Sequence, residues 1–452
     1  MTETAHPIPA DSAPLACHGA SPLSGRFTPP GDAAISHAAL VVATLAVGRS
    51  SIEGLLESGD VLATIACLRQ LGVRIEQRDG AWHVHGPGVG GLLEPQEPLE
   101  LGRSGAAAPL LLGLVAPYAF ATRFSGGPVP ELRPLLDALA RIGATVTAMP
   151  DGGLPLTLRG PRLPLPLQHV LPTPSEAIKS ALLLAGAQMA GTTTIVETVA
   201  TGDHIERLLA DFGSAVTVAT DEAGGATISV TGLAELQPRR VTVPSDPSAA
   251  AYPLVGALVV PGSDLLIEKV LVNPARTGLI DTLLEMGGDI QFFNQHESGG
   301  EHVADLRVRS SRLRGIHVGA AHAGAMLHDI PALAVAAAYA QGETVIEGLG
   351  ALRRRATDRL AAVAAGLAAC KVTVAEGEDS LTIGGIGKVE GGGMVQSRGD
   401  GRVAMSFLVL GLASHKRVTL DETSAIAADF PDFVAAMTAA GARFEPVKGR
   451  LG

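Results

Sequence analysis

The chain has 452 residues and a net charge of −11 at pH 7, with 46% hydrophobic and 17% charged residues. Its length predicts two large domains, because single hydrophobic cores stop growing at about 250–300 residues. The acidic balance argues against nucleic acid as a partner, since binding a phosphate backbone needs a basic face.

Three features of the sequence predict a cytoplasmic protein. No run of about 18 apolar, uncharged residues indicates a membrane span. The segment Met1–Pro22 lacks a basic region followed by an apolar core, so we expect a flexible tail there and not a secretory signal. Cys17, Cys67 and Cys370 have no metal-ligand spacing and fit a reducing compartment.

The first predicted element is a tight turn that opens a helix, in the stretch Pro29–Leu40. Gly31 and Asp32 form the turn, and an apolar, Ala-rich helix follows from Ala33. Free backbone N–H groups and the helix dipole make such a helix start a binding site for anions.

One unit then recurs six times, separated by about 70 residues, which is longer than a solenoid repeat. Each unit is an amphipathic helix that ends near a glycine, followed by a short β-branched strand. The six predicted helices are Asp60–Arg74, Pro130–Gly143, Asp203–Gly213, Arg276–Gly288, Asp358–Cys370 and Pro431–Gly441. The units predict an α/β fold of βαβαββ-type repeats, three to a domain.

A second helix accompanies each unit and is apolar along its whole length. These helices are Ala33–Val47, Ala106–Ala119, Glu176–Met189, Pro247–Val260, Leu327–Ala340 and Val403–Ala413. Helices that are hydrophobic all round are buried, so we predict that they form the core of each domain.

Four segments carry a resemblance to the 5-enolpyruvylshikimate-3-phosphate (EPSP) synthases, closest to their glyphosate-tolerant bacterial class. They are Pro29–Leu40, Gly54–Leu62, Val303–Ser311 and Met405–Val409. The resemblance implies two inverse α/β domains with an interdomain cleft. It implies that residues 31–242 form one domain inserted into a discontinuous domain of 1–30 and 243–452. It also implies a monomer that needs no metal and no organic cofactor.

Members of the family join the enolpyruvyl group of phosphoenolpyruvate to shikimate 3-phosphate and release phosphate. The two phosphates and two carboxylates of these substrates need several Lys and Arg side chains. The reaction also needs groups that transfer protons at the vinyl carbon and the hydroxyl.

Most charged positions of the family motifs carry other residues here. The replaced positions are Ala33, Ala34, Ala38, Pro109, Pro130, Ala177, Gly202 and Ala356. Loss of one catalytic cation from a dry site costs several kcal/mol of transition-state stabilisation. We therefore expect the family reaction to be strongly reduced.

Some polar residues remain at, or are new to, the positions that the resemblance assigns to the site. Ser175, Arg359 and Arg402 persist, and Arg355 keeps the charge of a family lysine. These four and the new Arg103 are the predicted substrate-binding residues. Arg359 and Arg402 bind an anion or, alternatively, form structural ion pairs with Asp358 or Asp400. His328 stands at the position of a catalytic aspartate and is the candidate proton-transfer residue.

The leading hypothesis is a repurposed or catalytically silent member of the family that binds a small carboxylate in the cleft. One alternative is an active transferase that forms EPSP in the shikimate pathway of aromatic amino acid biosynthesis. Another is a different enzyme that uses His328 on a cyclic acid. The expected partner is a small-molecule anion, with a protein partner as the alternative; neither nucleic acid nor a membrane is expected.

Overall fold

The computed structural model describes residues 14–447, except 103–104, 128, 130–131, 149–152 and 354–356. The chain divides into two compact units. Unit 1 comprises the chain up to Pro29, Ser245–Gln295 and the chain from Val303 onward. Unit 2 comprises Pro30–Pro244 together with His296–His302, whereas the resemblance implies that 296–302 belong to the discontinuous domain.

The twelve predicted helices are present among the described residues with bounds close to the predicted ones, and two short helices, Ala320–Ala325 and Ile426–Asp429, are additional. In chain order they are α1 (Ala33–Leu45), α2 (Gly59–Gln70), α3 (Ala107–Val115), α4 (Leu132–Arg141), α5 (Glu176–Gly186), α6 (His204–Asp211), α7 (Pro247–Val259), α8 (Gly278–Glu285), α9 (Ala320–Ala325), α10 (Ile330–Tyr339), α11 (Arg359–Ala369), α12 (Gly401–Ala413), α13 (Ile426–Asp429) and α14 (Phe433–Ala439). No helix in these ranges is long and apolar enough to cross a membrane.

The strands are short, and most follow or precede a helix. They are β1 (Leu15–Cys17), β2 (Ser24–Phe27), β3 (Val47–Glu53), β4 (Arg74–Arg78), β5 (Ala81–Pro87), β6 (Leu99–Glu100), β7 (Ala121–Ser125), β8 (Thr145–Ala148), β9 (Leu156–Arg159), β10 (Gln168–Val170), β11 (Thr192–Glu197), β12 (Ala215–Thr220), β13 (Ala226–Thr231), β14 (Arg240–Thr242), β15 (Asp264–Leu271), β16 (Asp289–Ser298), β17 (Glu301–Arg309), β18 (His317–Val318), β19 (Gln341–Glu347), β20 (Thr373–Glu376), β21 (Ser380–Ile386), β22 (Met394–Val395), β23 (Val418–Leu420) and β24 (Phe444–Pro446).

Within the described ranges, unit 2 contains three four-stranded sheets with the same connectivity. Their strand orders are β14-β3-β5-β4, β6-β7-β9-β8 and β10-β11-β13-β12. In each sheet the first pair is parallel and the other two pairs are antiparallel. The identical pattern is the structural form of the repeat seen in the sequence.

Unit 1 repeats the arrangement in three further sheets. Their strand orders are β16-β17-β15-β2, β18-β19-β21-β20 and β22-β23-β1-β24. The predicted α/β class is therefore confirmed: helices and mixed sheets alternate through both units.

Each unit has a helical core. In unit 2, α3 packs on α5 and α1; in unit 1, α7, α10 and α12 pack on one another. Gly113 of α3 lies so close to α5 that a Cβ there would stand 2.3 Å from the carbonyl oxygen of Ala181. A side chain is thus excluded at this position, and the small residues that dominate these helices permit the close packing.

The first helix of each repeat ends in a left-handed residue, usually glycine. Gly213 after α6 has φ +99°, as the sequence analysis expected for a helix end. The fifth repeat has Lys371 at this position, with φ +65°. Lysine therefore adopts there a conformation that β-carbon-bearing residues rarely take.

Candidate active site

The predicted anion-binding turn of unit 2 has the expected backbone. The buried Asp32 caps α1, and its Oδ1 accepts a hydrogen bond from Ile35 N at 3.0 Å. A Cβ at Gly31 would lie 2.0 Å from the carbonyl oxygen of Gly54, so this close approach requires glycine. Three replaced positions, Ala33, Ala34 and Ala38, lie in the first turns of α1 and contribute no charge.

A second helix of unit 2 begins at another predicted residue. Ser175 is buried, caps α5 and accepts a hydrogen bond from Ile178 N at 3.4 Å. Ala177, a replaced position, is half-buried in the first turn. Glu176 lies between them, and its carboxylate stands over Gly202, where a built Cβ would be 2.4 Å from Glu176 Oε2.

Beneath this helix start lies a buried lysine that the sequence analysis did not single out. Lys179 Nζ is 2.8 Å from Glu206 Oε1 and 3.1 Å from Glu197 Oε2, and it also donates to the Thr201 carbonyl at 3.4 Å. Burial by itself lowers the pKa of Lys179, but the two glutamates outweigh this effect and raise it. Lys179 therefore remains charged and joins α5 to α6 and the segment before it.

A buried histidine begins α6, one residue after the cap Asp203. His204 Nδ1 lies 2.6 Å from Glu301 Oε1, and both side chains are almost completely buried. Burial by itself lowers the pKa of His204. The hydrogen bond to Glu301, together with the nearby carboxylates of Asp32 and Glu176, overcomes this effect and raises the pKa to about 9.

These residues include the one group within the described ranges that has metal-ligand geometry: Asp203, His204 and Glu301. Arg207 forms ion pairs with both carboxylates of this group, because its Nε is 2.8 Å from Asp203 Oδ2 and 3.9 Å from Glu301 Oε2. The charged imidazole of His204 is a second cation. The donor set therefore fits an ion-pair network better than a divalent metal, whose histidine ligand must be neutral.

Unit 1 has its own group of charged residues at helix starts. Arg359, the first residue of α11, is buried and donates from Nε to Asp400 Oδ2 at 2.7 Å. Asp400 caps α12 through its other oxygen, which accepts hydrogen bonds from the backbone of Arg402 and Val403. The Nη1 atom of Arg359 is buried with no hydrogen-bond partner among the described residues.

Arg402 lies at the start of α12 and pairs with a residue that the sequence analysis did not name. Its Nη2 donates to Asp429 Oδ1 at 3.1 Å. Burial lowers the pKa of Arg402, but Asp429 and the neighbouring polar groups of Tyr252 and Asp246 outweigh this effect and raise it. Asp246 also binds Arg276, at 2.9 Å from Nη2.

The candidate proton-transfer residue of unit 1 is exposed. His328 lies in the turn before α10, beside the N-cap residue Asp329. Asp329 is buried, and its Oδ1 has no hydrogen-bond partner among the residues that the structure describes. The structure thus places one exposed and one buried titratable side chain at this helix start.

Of the five remaining predicted positions, the structure describes Pro109 alone. Pro109 is buried within α3. Arg103, Arg355, Pro130 and Ala356 lie outside the described residues. Sequence reasoning missed His204, Lys179, Glu301 and Asp429, although the Asp203 and Arg207 pair was visible as an i, i+4 pattern on a predicted helix.

Comparisons with known proteins assign this architecture to one family. Residues 17–437 match the family described as EPSP synthase (3-phosphoshikimate 1-carboxyvinyltransferase). A relative with that enzyme name from Paramagnetospirillum magneticum is 48% identical over 95% of this chain and 98% of its own length. Another, from a Chelativorans species, is 48% identical over 97% and 99%.

Solved structures agree. EPSP synthase from Acinetobacter baumannii superposes with a TM-score of 0.88 at 34% identity, over 96% of this chain and 99% of that one. The enolpyruvyl transferase NikO from Streptomyces tendae superposes with a TM-score of 0.74, and at 20% identity it supports the fold alone. It covers 96% of this chain and 99% of its own.

These similarities correct the leading hypothesis from the sequence. The prediction of a protein that is not a working EPSP synthase is wrong, because relatives at 46–48% identity over nearly the whole chain are named as that transferase. The prediction counted charges lost at individual motif positions. It did not count cations elsewhere in the chain, such as His204 at the start of α6 and Arg276, whose Nη2 lies 2.9 Å from Asp246 Oδ1.

Proposed function

Because the chain belongs to the EPSP synthase family, we propose that it transfers the carboxyvinyl group of phosphoenolpyruvate to shikimate 3-phosphate and releases phosphate. The observation that carries the proposal is the buried Nη1 of Arg359, which has no hydrogen-bond partner among the described residues, while Nε of the same side chain donates to Asp400 at the start of α12. A buried donor left without a partner costs about 1–3 kcal/mol, which an anionic ligand offsets. Phosphoenolpyruvate carries two anionic groups, a carboxylate and a phosphate, and either can accept this hydrogen bond.

The helix starts of unit 1 suit this donor substrate. Arg402 keeps 15% of its side chain exposed, and Asp429 holds one edge of its guanidinium. The backbone N–H groups and the dipole of α12 add partial positive charge. We propose that Arg359 and Arg402 together bind phosphoenolpyruvate, with Arg355 as a further cation.

The helix starts of unit 2 suit the acceptor. The hydroxyl of Ser175, at the start of α5, is proposed to bind a polar group of shikimate 3-phosphate, and Arg103 to neutralise part of its charge. His328 is proposed to transfer the proton at the vinyl carbon, since histidine changes protonation state near neutral pH. No metal or organic cofactor takes part in this proposal.

The test is phosphate release from the purified protein with shikimate 3-phosphate and phosphoenolpyruvate, each omitted in turn. We expect release only when both are present. Arg402→Ala should lower kcat/KM for phosphoenolpyruvate by about 100-fold, the effect of removing one charged donor to a reacting anion. The exposed Arg417 provides the matched control, and Arg417→Ala should leave the rate unchanged. A folded wild-type protein that releases no phosphate would overturn the proposal.

A further inference from the structure

The sheet β16-β17-β15-β2 of unit 1 has two different faces. Leu265, Ile267 and Val308 are buried and belong to the core that packs against the helices. Because neighbouring residues of a strand point to opposite sides, Leu266 and Arg307 lie on the other, outer face. That face carries a groove with a volume of about 450 Å³, a size typical of pockets for small molecules.

The middle of this groove is apolar. Leu266 and the exposed ring of Phe293 contribute the apolar side chains. Gly25 adds bare backbone, since a Cβ there would meet no atom within 4 Å. The groove therefore presents an aromatic ring, a leucine side chain and a stretch of backbone to an apolar group. The residues that line the groove come from four strands and are Gly25, Asp264, Leu266, Phe293, Asn294 and Arg307.

The polar end of the groove is an ion pair with a fixed geometry. Arg307 donates from Nε to Asp264 Oδ1 at 2.8 Å and from Nη2 to Asp264 Oδ2 at 2.7 Å. Two parallel hydrogen bonds of this kind fix the plane of the guanidinium. The hydrogen bonds from Arg307, with a further one from Arg309, hold the pKa of Asp264 at about 2. Asp264 therefore stays charged and paired at neutral pH.

This pairing leaves one edge of the Arg307 guanidinium unused. Nη1 makes no hydrogen bond to the described residues, and Nη2 uses only one of its two protons. The Arg307 side chain is 43% exposed, so a ligand can reach this edge. The Nη1–Nη2 edge has the spacing that binds both oxygens of a second carboxylate.

Other classes of ligand fit the groove less well. A metal ion would have to displace Arg307 and Arg309 from Asp264, the single carboxylate in the lining. A phosphate dianion would be repelled by the same carboxylate and by Asp289, which pairs with Arg309. A neutral apolar molecule would leave the free edge of Arg307 unused. A monoanion with an apolar ring uses both parts of the groove.

We infer that this groove binds a small carboxylate that carries an apolar ring. The carboxylate accepts two hydrogen bonds from the Nη1–Nη2 edge of Arg307, and the ring lies against Leu266 and Phe293. All the lining residues belong to unit 1, and none of them is among the residues proposed to bind or convert the substrates of the transferase. The inference therefore does not rest on the proposed function.

The test is an NMR titration of the intact protein, labelled at its leucine methyl groups, with phenylacetate at pH 7. We expect the methyl signals of Leu266, identified by their absence from Leu266→Val, to shift and to saturate. Arg307→Ala should weaken binding about tenfold or more, because it removes the charged hydrogen bonds. Phe293→Ala should weaken it about fivefold, because it removes an aromatic contact.

Two control variants locate the binding. Arg309→Ala should bind phenylacetate as the wild type does, because Arg309 lies two residues along the same strand and does not line the groove. Arg402→Ala should also bind it unchanged, which distinguishes the groove from the proposed site for phosphoenolpyruvate. Arg307→Lys keeps the charge but loses the planar edge, so it should bind more weakly than the wild type.

Two related ligands separate the contributions of the ring and the charge. Acetate has the carboxylate without the ring, and phenylacetamide has the ring without the charge. We expect each to bind about tenfold more weakly than phenylacetate or worse, because each uses only one part of the groove.

The inference is overturned if the Leu266 signals do not shift, or if they shift without saturating. It is also overturned if Arg307→Ala and Phe293→Ala bind phenylacetate as tightly as the wild type, or if acetate or phenylacetamide does so. Saturable binding with the expected variant pattern, in a protein that releases no phosphate, would support the inference and overturn the proposed reaction alone.

Discussion

Glu301 Oε1 and His204 Nδ1 lie 2.6 Å apart, although 97 residues separate them in the chain. The pair holds the segment His296–His302 against the start of α6 within unit 2. Because the pKa of His204 rises from the ordinary 6.5 to about 9, the pair stabilises the fold fully below pH 6.5. That stabilisation is lost as the pH rises through 9.

We predict that Glu301→Gln lowers the free energy of unfolding by about 3 kcal/mol at pH 6, the effect of breaking a buried ion pair. The loss should shrink towards pH 9.5, where His204 is neutral in both proteins. Urea unfolding at several pH values measures this, with the exposed Glu222→Gln as the control. An equal loss at every pH would contradict the prediction.

The buried pair of Arg359 and Asp400 gives a second prediction. Asp400→Asn keeps the helix cap, since asparagine caps well, but removes the charge that faces Arg359. We expect a loss of about 3 kcal/mol in unfolding free energy. Asp358→Asn is the matched control, because its partner Arg353 is more exposed and also binds Glu376. Equal effects of the two substitutions would show that burial of the pair is not what matters.

Replacing the buried Lys179 should lower the free energy of unfolding more than replacing a surface lysine. Lys179→Met leaves the carboxylates of Glu197 and Glu206 buried without their cation, and we expect a loss of about 3–5 kcal/mol. The loss should diminish at acidic pH, because burial raises the pKa of Glu206, which takes up a proton more readily without its cation. Lys416→Met removes an exposed pair with Glu390 and should change stability by less than about 1 kcal/mol. Chemical unfolding of both variants and the wild type at pH 5 and pH 7.5 measures these losses in unfolding free energy.

The close approach of α3 and α5 can be tested at one glycine. Gly113→Ala places a methyl group 2.3 Å from the Ala181 carbonyl oxygen. We expect the clash to outweigh the gain of about 1 kcal/mol in helix propensity and to destabilise the protein by about 1–3 kcal/mol. Gly59→Ala, in open space at the start of α2, should be neutral or stabilising. A higher melting temperature for Gly113→Ala would contradict this packing.

Local patterns predicted most of the fold. The apolar period of three and four residues located α4 and α6, continuous apolar composition located α1 and α5, and glycine marked helix ends such as Gly213. These features depend on neighbours a few residues away, so the sequence displays them directly. The Asp32 cap and the turn at Gly31 were visible for the same reason.

The sequence by itself thus determined the α/β class, the sixfold repeat, the helix starts and a family resemblance that the comparisons confirm. It did not determine which charged side chains form pairs. Arg402 pairs with Asp429 and His204 pairs with Glu301 only after distant segments pack together. The same is true of the Glu176 carboxylate, which lies over Gly202. Hydrogen bonds and ion pairs act over a few ångströms in space, and the sequence order of the partners carries no record of that distance. Motif positions alone therefore led to the wrong function, while the tertiary structure decides which cations and carboxylates share a helix start.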